Sequence, residues 1–321
     1  MKKLQKADIS NSQQDSFYLL EYATGINRGK YYANQHQKMP KKEQEDYIAL
    51  IHKRCERIPL QHLLGTTEFM GLPFKVNSHV LIPRQDTEIL VETALKVIKT
   101  TWKKDCEREE LLILDMCTGS GCILISTLYY ARKDFPKIRG VGVDISKEAL
   151  KLAKDNAKKN GINVAEMKST IDFIYGGNQE SLDNASHDES QIVFVESDLF
   201  SKLKDLKKDT KIVKKGYNKK YDIILSNPPY IPSKEIEDLE EEVKHHDPLL
   251  ALDGGEDGLY FYGQITKECP KYLNKEGTLI LECGWNQGEE VSRVMKDHGF
   301  TNVKVIKDLN GLDRVIVGNY G

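Results

Sequence analysis

Between residues 111 and 282 the chain repeats one pattern: a short apolar run, a turn carrying Asp, Asn or Gly, then a segment of helical period. The clearest run is Leu111-Leu-Ile-Leu-Asp-Met116, which has no alternation of polar and apolar positions. A strand made from it has no face to offer water and must be covered on both sides. Comparable runs are Gly140-Val-Gly-Val-Asp144, Ile192-Val-Phe-Val-Glu196, Tyr221-Asp-Ile-Ile-Leu-Ser226 and Thr278-Leu-Ile-Leu-Glu282, followed by a last pair near 303–306 and 314–317. Helical segments at 122–132, 147–160, 259–273 and 287–298 separate most of them. Strands that alternate with helices in this way form a largely parallel sheet with helices on both faces, so the expected fold is a doubly wound, Rossmann-like α/β domain of seven strands.

At 321 residues the chain exceeds one ordinary core, and its first part has a different pattern. Ser16-Phe-Tyr-Leu-Leu-Glu-Tyr22 and the run from Lys41 to Arg54 carry apolar residues at three- and four-residue spacings, with Pro40 ahead of the second. We expect a small helical bundle over 1–66, a β-hairpin linker over 67–85 punctuated by Gly71 and Pro73, and the α/β domain over 86–321. Residues 163–190, rich in Asn, Gly, Ser, Asp and Glu, read as a loop insertion. Residues 202–220 hold nine lysines and two acids, the pattern of a solvated loop or of a local patch for RNA. The formal charge of −2 argues against a surface devoted to nucleic acid, and six scattered cysteines without CxxC pairs suggest neither zinc nor disulfides. With no spanning run and no apolar signal core near Met1, the expectation is a cytoplasmic protein.

Chemistry-bearing residues fall at the carboxyl ends of the runs. After the first comes Asp115-Met-Cys-Thr-Gly-Ser-Gly-Cys122, a strand-to-helix turn whose glycines let backbone approach a ligand and whose helix start offers free N–H groups. It matches neither the dinucleotide spacing nor a P-loop. Asp144 ends the second run, where a ribose hydroxyl pair is held in folds of this kind, and Asp198 follows the third, placed to accept from an adenine amine. Either aspartate is equally read as a helix cap. The fourth run ends in Asn227-Pro228-Pro229-Tyr230. Two prolines remove two donors, so the turn offers acceptors to both hydrogens of a planar NH2 group while the Tyr230 ring packs on its face. Read alone, it is equally a strand stop. The succession of four such features on consecutive strands favours a ligand site.

These motifs resemble class I S-adenosylmethionine-dependent methyltransferases that act on planar nitrogens. Flanking segments narrow the likeness: Arg57-Ile-Pro-Leu-Gln-His62, Gly71-Leu-Pro-Phe-Lys-Val76, Leu81-Ile-Pro-Arg-Gln-Asp-Thr-Glu88, Ala251-Leu-Asp-Gly-Gly-Glu-Asp-Gly-Leu259 and Leu309-Asn-Gly-Leu-Asp-Arg-Val315. Over nearly the whole chain they resemble the peptide-chain release factor glutamine methyltransferase family. The resemblance implies transfer of a methyl group from S-adenosylmethionine, leaving S-adenosylhomocysteine, to the amide of the glutamine in the Gly-Gly-Gln loop of bacterial class 1 release factors. It also implies that the N-terminal helices help hold the release factor. Cofactor contacts fall on Cys117, Thr118, Gly119, Ser120, Gly121, Asp144, Asp198, Leu199 and Asn227. Asn227, Pro228, Pro229 and Tyr230 receive the substrate amide, with Asn227, Pro228 and Tyr230 catalytic and no metal required. Cys117 departs from the family pattern, standing where a glycine is usual, and Gln85-Asp86 replaces the commoner Pro-Glu. Two alternatives remain at this stage. A nucleic-acid amine methyltransferase, on adenine N6 or guanine N2, would use the same turn, although only 91 residues follow Tyr230 and the sheet needs them. A non-catalytic binding protein would keep the fold and lose the cofactor through Cys117.

Overall fold

The computed structural model describes residues 1–33, 36–102, 110–165, 191–208 and 220–321. Cys106, nearly all of the 163–190 insertion and most of the 202–220 lysine run lie outside them.

The first part is helical: Lys2–Lys6 (α1), Ser12–Thr24 (α2), Arg28–Ala33 (α3), Lys41–Cys55 (α4) and Leu60–Leu64 (α5). Pro40 and Pro59 cap the starts of α4 and α5, where no intrahelical N–H bond is lost. Gly25 and Gly65 close α2 and α5 at φ of 67° and 68°, a left-handed turn that costs other residues energy. Leu4, Ile9, Leu19 and Ile51 form the bundle core. Beside them the buried Arg54 donates Nε to Asp15 Oδ2 and Nη2 to Glu242 Oε1, both at 2.8 Å. A guanidinium taken out of water requires such partners, and Glu242 lies beyond the Asn-Pro-Pro-Tyr turn, so this bond ties the bundle to the α/β part of the chain.

Thr66–Phe69 (β1) and Leu72–Lys75 (β2) form an antiparallel hairpin, with Met70 and Gly71 at φ of 52° and 70° supplying the tight turn. Asn156 binds its end, accepting from Lys75 N at 2.7 Å and donating to the carbonyls of Lys75 and Ser120. One amide thereby fixes the hairpin to the glycine-rich turn.

The remaining elements are Glu88–Val97 (α6), Glu110–Met116 (β3), Cys122–Ala131 (α7), Lys137–Asp144 (β4), Lys147–Lys159 (α8), Asn163–Val164 (β5), Gln191–Glu196 (β6), Ser201–Lys208 (α9), Tyr221–Ser226 (β7), Glu241–His246 (α10), Tyr260–Glu268 (α11), Leu273–Glu282 (β8), Gly288–Asp297 (α12), Phe300–Lys307 (β9) and Asp313–Tyr320 (β10). Strand order is β5-β6-β4-β3-β7-β8-β10-β9; β10 runs antiparallel to both neighbours and every other pairing is parallel. The fold is the expected doubly wound α/β sheet.

Period-two alternation explains the unbroken apolar runs. Leu111 and Ile113 pack with α6, α7 and α8 on one face, whereas Leu112 and Leu114 pack with Tyr262, Ile265 and Val291 on the other. Three details differ from the expectations. Asn163 and Val164 pair with Gln191 and Ile192, so the stretch expected as pure loop begins with an eighth, two-residue edge strand too short to show a period. The helix expected over 259–273 ends at Glu268 and tightens into a 3-10 turn over Cys269–Lys271, because Pro270 has no N–H to extend it. β8 accordingly begins at Leu273, five residues before the expected start at 278.

Candidate active site

Strand order reverses at β3: the chain builds β4, β6 and β5 on one side of it and β7 and β8 on the other. The crevice beyond the carboxyl ends at such a switch point is where ligands bind in open α/β sheets. A cavity of about 550 Å³ lies there, within the range of small-molecule sites. Cys117, Thr118, Gly119 and Ser120 line it after β3, Asp144 after β4, Asp198 and Leu199 after β6, and Asn227 and Pro229 after β7. Gly121, Pro228 and Tyr230 are not among its lining residues.

The glycine-rich turn crosses the tops of the strands. Thr118 N donates to Val143 O at 2.9 Å, and the Thr118 hydroxyl donates to Asp115 Oδ2 at 2.6 Å. The hydroxyl therefore points into the protein, and it is the Thr118 backbone that the turn presents. Burial pushes the Asp115 carboxyl up to about 7, despite the hydrogen bond from Thr118. Gly119 has φ of 53° and open space where a Cβ would stand, the condition for close approach of a ligand to backbone. Gly121 serves packing instead: a Cβ there would lie 2.8 Å from Ile125 and 3.2 Å from Ala153. Gly142 does the same for β4, where a Cβ would lie 2.6 Å from the Phe194 ring.

Asp144 is half-buried and accepts from Gly119 N at 2.8 Å and from Ser146 N at 2.9 Å. Burial raises its pKa against those two bonds and the nearby Ile145 N–H. A carboxylate has about four lone-pair sites, so holding the turn and binding a hydroxyl are compatible. Asp198 is exposed at the rim, and Leu199 adopts φ of 43° with its carbonyl held by the Ser197 hydroxyl.

The Asn-Pro-Pro-Tyr turn is braced from behind. Ser226 donates to Met116 O at 2.7 Å, Gln287 Nε2 donates to Tyr230 O at 3.0 Å, and Ile231 donates its N–H to Leu252 O at 3.0 Å and accepts at its carbonyl from Gly254 N at 2.9 Å. A Cβ on Gly254 would lie 2.7 Å from Tyr230 Cα, and one on Gly258 would collide with Tyr230 O and sit 2.7 Å from Gln287. Only glycine allows this approach, which explains the Gly-Gly-Glu-Asp-Gly run. Asn227 is half-buried; its Nδ2 donates to Thr87 Oγ1 at 3.4 Å, leaving Oδ1 as the acceptor available to the cavity. Sequence reasoning missed Thr87, Gly254, Gly258, Gln287 and the buried Glu282 at the end of β8. The glycine run was the one local signal among them.

Among the described residues, no group of His, Cys, Asp and Glu could hold a metal ion, and no helix is long and apolar enough to cross a membrane. Residues 1–65 match the family described as PrmC N-terminal domain, and residues 107–172 match a methyltransferase domain family. Curated relatives named release factor glutamine methyltransferase align along the whole length. The protein from Geobacter sulfurreducens is 34% identical over 99% of this chain and 93% of its own. That from Clostridium botulinum is 35% identical over 98% and 94%, and that from Fusobacterium nucleatum 35% over 98% and 75%. The chain belongs to the release factor glutamine methyltransferase family. Among solved structures, a methyltransferase from Pyrococcus furiosus aligns over 78% of this chain and 90% of its own at 15% identity and a TM-score of 0.44. A Thermus thermophilus 16S rRNA N2 G1207 methyltransferase, solved with AdoMet and guanosine, covers 80% and 50% at 12% identity and a TM-score of 0.43. Membership of the family gives the acceptor-rich turn at Asn227 and the glycine-rich turn at Gly119 a common context: both face one cavity.

Proposed function

We propose that this chain methylates the side-chain amide nitrogen of the glutamine in the Gly-Gly-Gln loop of peptide-chain release factors, in the cytoplasm, with S-adenosylmethionine as donor. The full-length likeness to release factor glutamine methyltransferases supports a protein amide over a nucleobase as the acceptor. One observation carries the chemistry: Asn227 and Pro229 line the same cavity as Gly119 and Asp144. The residues fit the donor, since Gly119 leaves its backbone open to a ligand and Asp144 retains lone pairs for hydroxyls. When bound, S-adenosylmethionine supplies an electrophilic methyl group on a sulfonium.

The chain's own task is the nucleophile. An amide nitrogen reacts poorly because its lone pair is delocalised into the carbonyl. Asn227 Oδ1, open to the cavity, accepts one of its hydrogens; the Pro228 carbonyl, to which the resemblance gives the other, lies just behind the lining and takes it as the substrate amide seats against the turn, and together they raise the nitrogen's electron density and fix its direction. Positioning then supplies most of the rate. Tyr230 sets the turn through its carbonyl, held by Gln287.

The test is Asn227→Ala, assayed with labelled donor on a release factor and on nucleic acid, the labelled position being read by mass spectrometry. The reading expects label on the release-factor glutamine and a fall in kcat of about 100-fold or more in the variant, with near-normal donor binding. Label on nucleic acid alone, or unchanged turnover, refutes it.

A further inference from the structure

At the end of β8, next to the Asn-Pro-Pro-Tyr turn, a carboxyl group is buried that the chemistry above does not use. Glu282 is 2% exposed, and its Oε2 has no hydrogen-bond partner. Pairing of Ser226 with Leu281 puts Asn227 and Glu282 side by side at the ends of adjacent strands. Thr87, itself 2% exposed at the start of α6, stands beside both, receiving the Asn227 Nδ2 hydrogen bond at 3.4 Å and facing the Glu282 carboxyl. A buried carboxyl with an unfilled lone pair is costly, so its persistence beside the Asn227 amide calls for a reason.

We propose that Glu282 is a positioning residue for the methyl transfer: together with Thr87 it holds the Asn227 NH2 group on the buried side, so that Oδ1 faces the cavity and accepts from the substrate amide. This rests on the function proposed above. An Asn side chain has two faces of nearly equal shape, and rotation by half a turn about its last bond exchanges acceptor for donor. An ionised Glu282 only accepts hydrogen bonds, so it selects the NH2 face. A protonated Glu282 also donates, lets the amide turn over, and presents NH2 to a substrate NH2.

Burial pushes the Glu282 carboxyl up to about 7, which brings its titration into the working range. The groups around it are Asp86 from the turn before α6, Arg314 from β10, Asn227 and Tyr230 from the β7 turn, Tyr262 from α11, Cys283 beside it and Cys122 at the start of α7. Arg314 favours the ionised form but is shared with Asp86 and Asp308, each at 3.1 Å. The Tyr262 hydroxyl donates to the Glu282 backbone carbonyl and leaves the carboxyl free of it.

The experiment compares wild type, Glu282→Gln and Thr87→Val across about pH 5.5 to 8.5. Wild-type kcat rises along an acid limb near neutrality. Glu282→Gln, which either accepts or donates, loses that limb and about tenfold of the plateau rate, with release-factor KM and donor affinity near wild type. Thr87→Val keeps the limb at a lower plateau. A second readout needs neither substrate nor variant: the Asn227 side-chain amide signal in the NMR spectrum of the wild-type protein, assigned through its own backbone connectivities, moves with a midpoint near neutral pH. A Glu282→Gln rate profile that overlays the wild type, or an Asn227 amide signal indifferent to pH, overturns the proposal. Absence of any transfer to a release factor refutes the proposed function instead, and the NMR titration still decides the role of Glu282.

Discussion

Gly254→Ala is the sharpest test of how the turn is held. The added Cβ would lie 2.7 Å from Tyr230 Cα, 2.8 Å from Tyr230 C and 2.9 Å from Gly258 Cα. All three atoms are backbone, so no side-chain rotation relieves the contact. Ordinary carbon contacts begin near 3.5 Å, so the turn or the 252–258 segment must move by roughly 0.7 Å. Overpacking of this kind costs about 1–3 kcal/mol of stability. The effect on rate is larger, because a misplacement on the order of 1 Å costs about 100-fold when positioning supplies the catalysis. The glycine-rich turn and Asp144 stand on β3 and β4, away from the strained contact, so donor affinity stays within about threefold. Gly263→Ala is the control: the position lies inside α11 with nothing within 4 Å of a Cβ, and there alanine stabilises by about 0.5–1 kcal/mol. Steady-state methyl transfer and calorimetric donor binding on the two variants decide the matter. A Gly254→Ala enzyme with wild-type kcat refutes the bracing argument, as does equal damage from Gly263→Ala.

Two further outcomes follow from buried charge. Arg54→Leu leaves Asp15 and Glu242 without their guanidinium and is expected to destabilise the protein by roughly 3 kcal/mol in urea titration; a change below about 0.5 kcal/mol would mean that the pair is replaced by solvent. Asp115, raised to about 7 from an ordinary value of 3.8, holds its proton in the folded state after the unfolded chain has released it. Folded and unfolded forms are both protonated below about pH 4, so stability is highest there with respect to this group and falls as pH rises to about 7. The full loss has an upper bound on the order of 4 kcal/mol. Asp115→Asn should flatten that part of the stability profile, and an unchanged slope would assign it to other groups.

The sheet was legible because its signal is local. Runs such as 111–116 and 221–226 are apolar at most positions, Asp115, Asp222 and Ser226 being the exceptions, and each motif sits within a few residues of the run that positions it. The short pieces were not legible: Asn163–Val164 has too few residues to show a period. Within the site, the singled-out turns after β3, β4, β6 and β7 supply one part of the cavity lining, and residues that no local pattern marked, among them Val80, Arg84, Leu250 and Tyr260, supply the rest. Their supports did not stand out, because support comes from far along the chain. Thr87 and Asn227 are 140 positions apart, and Arg54 and Glu242 are 188 apart. No pattern within β8 distinguishes Glu282 from a solvated strand end; only the packing of α6 and β10 around it removes the water.

Cys117 stands where the family resemblance leads one to expect glycine, and its φ of 61° is a real demand on a residue with a Cβ. That conformation costs roughly 1–2 kcal/mol. Against it stands the packing of the half-buried side chain on the cluster that contains Met116 and Val143, a gain that glycine would forgo. The turn does not depend on this residue for its course, since Thr118 N is bonded to Val143 O and Gly119 N to Asp144. The thiol is also kept harmless. Burial first, then the carboxylates of Asp144 and Asp115, push its pKa far above the ordinary thiol range, so it stays neutral. A thiolate here would compete as a nucleophile for any methyl donor in the cavity, whereas a neutral thiol does so far less. The cysteine therefore leaves the open approach at Gly119 intact, and the full-length likeness to release factor glutamine methyltransferases goes against reading the chain as a non-catalytic binding protein.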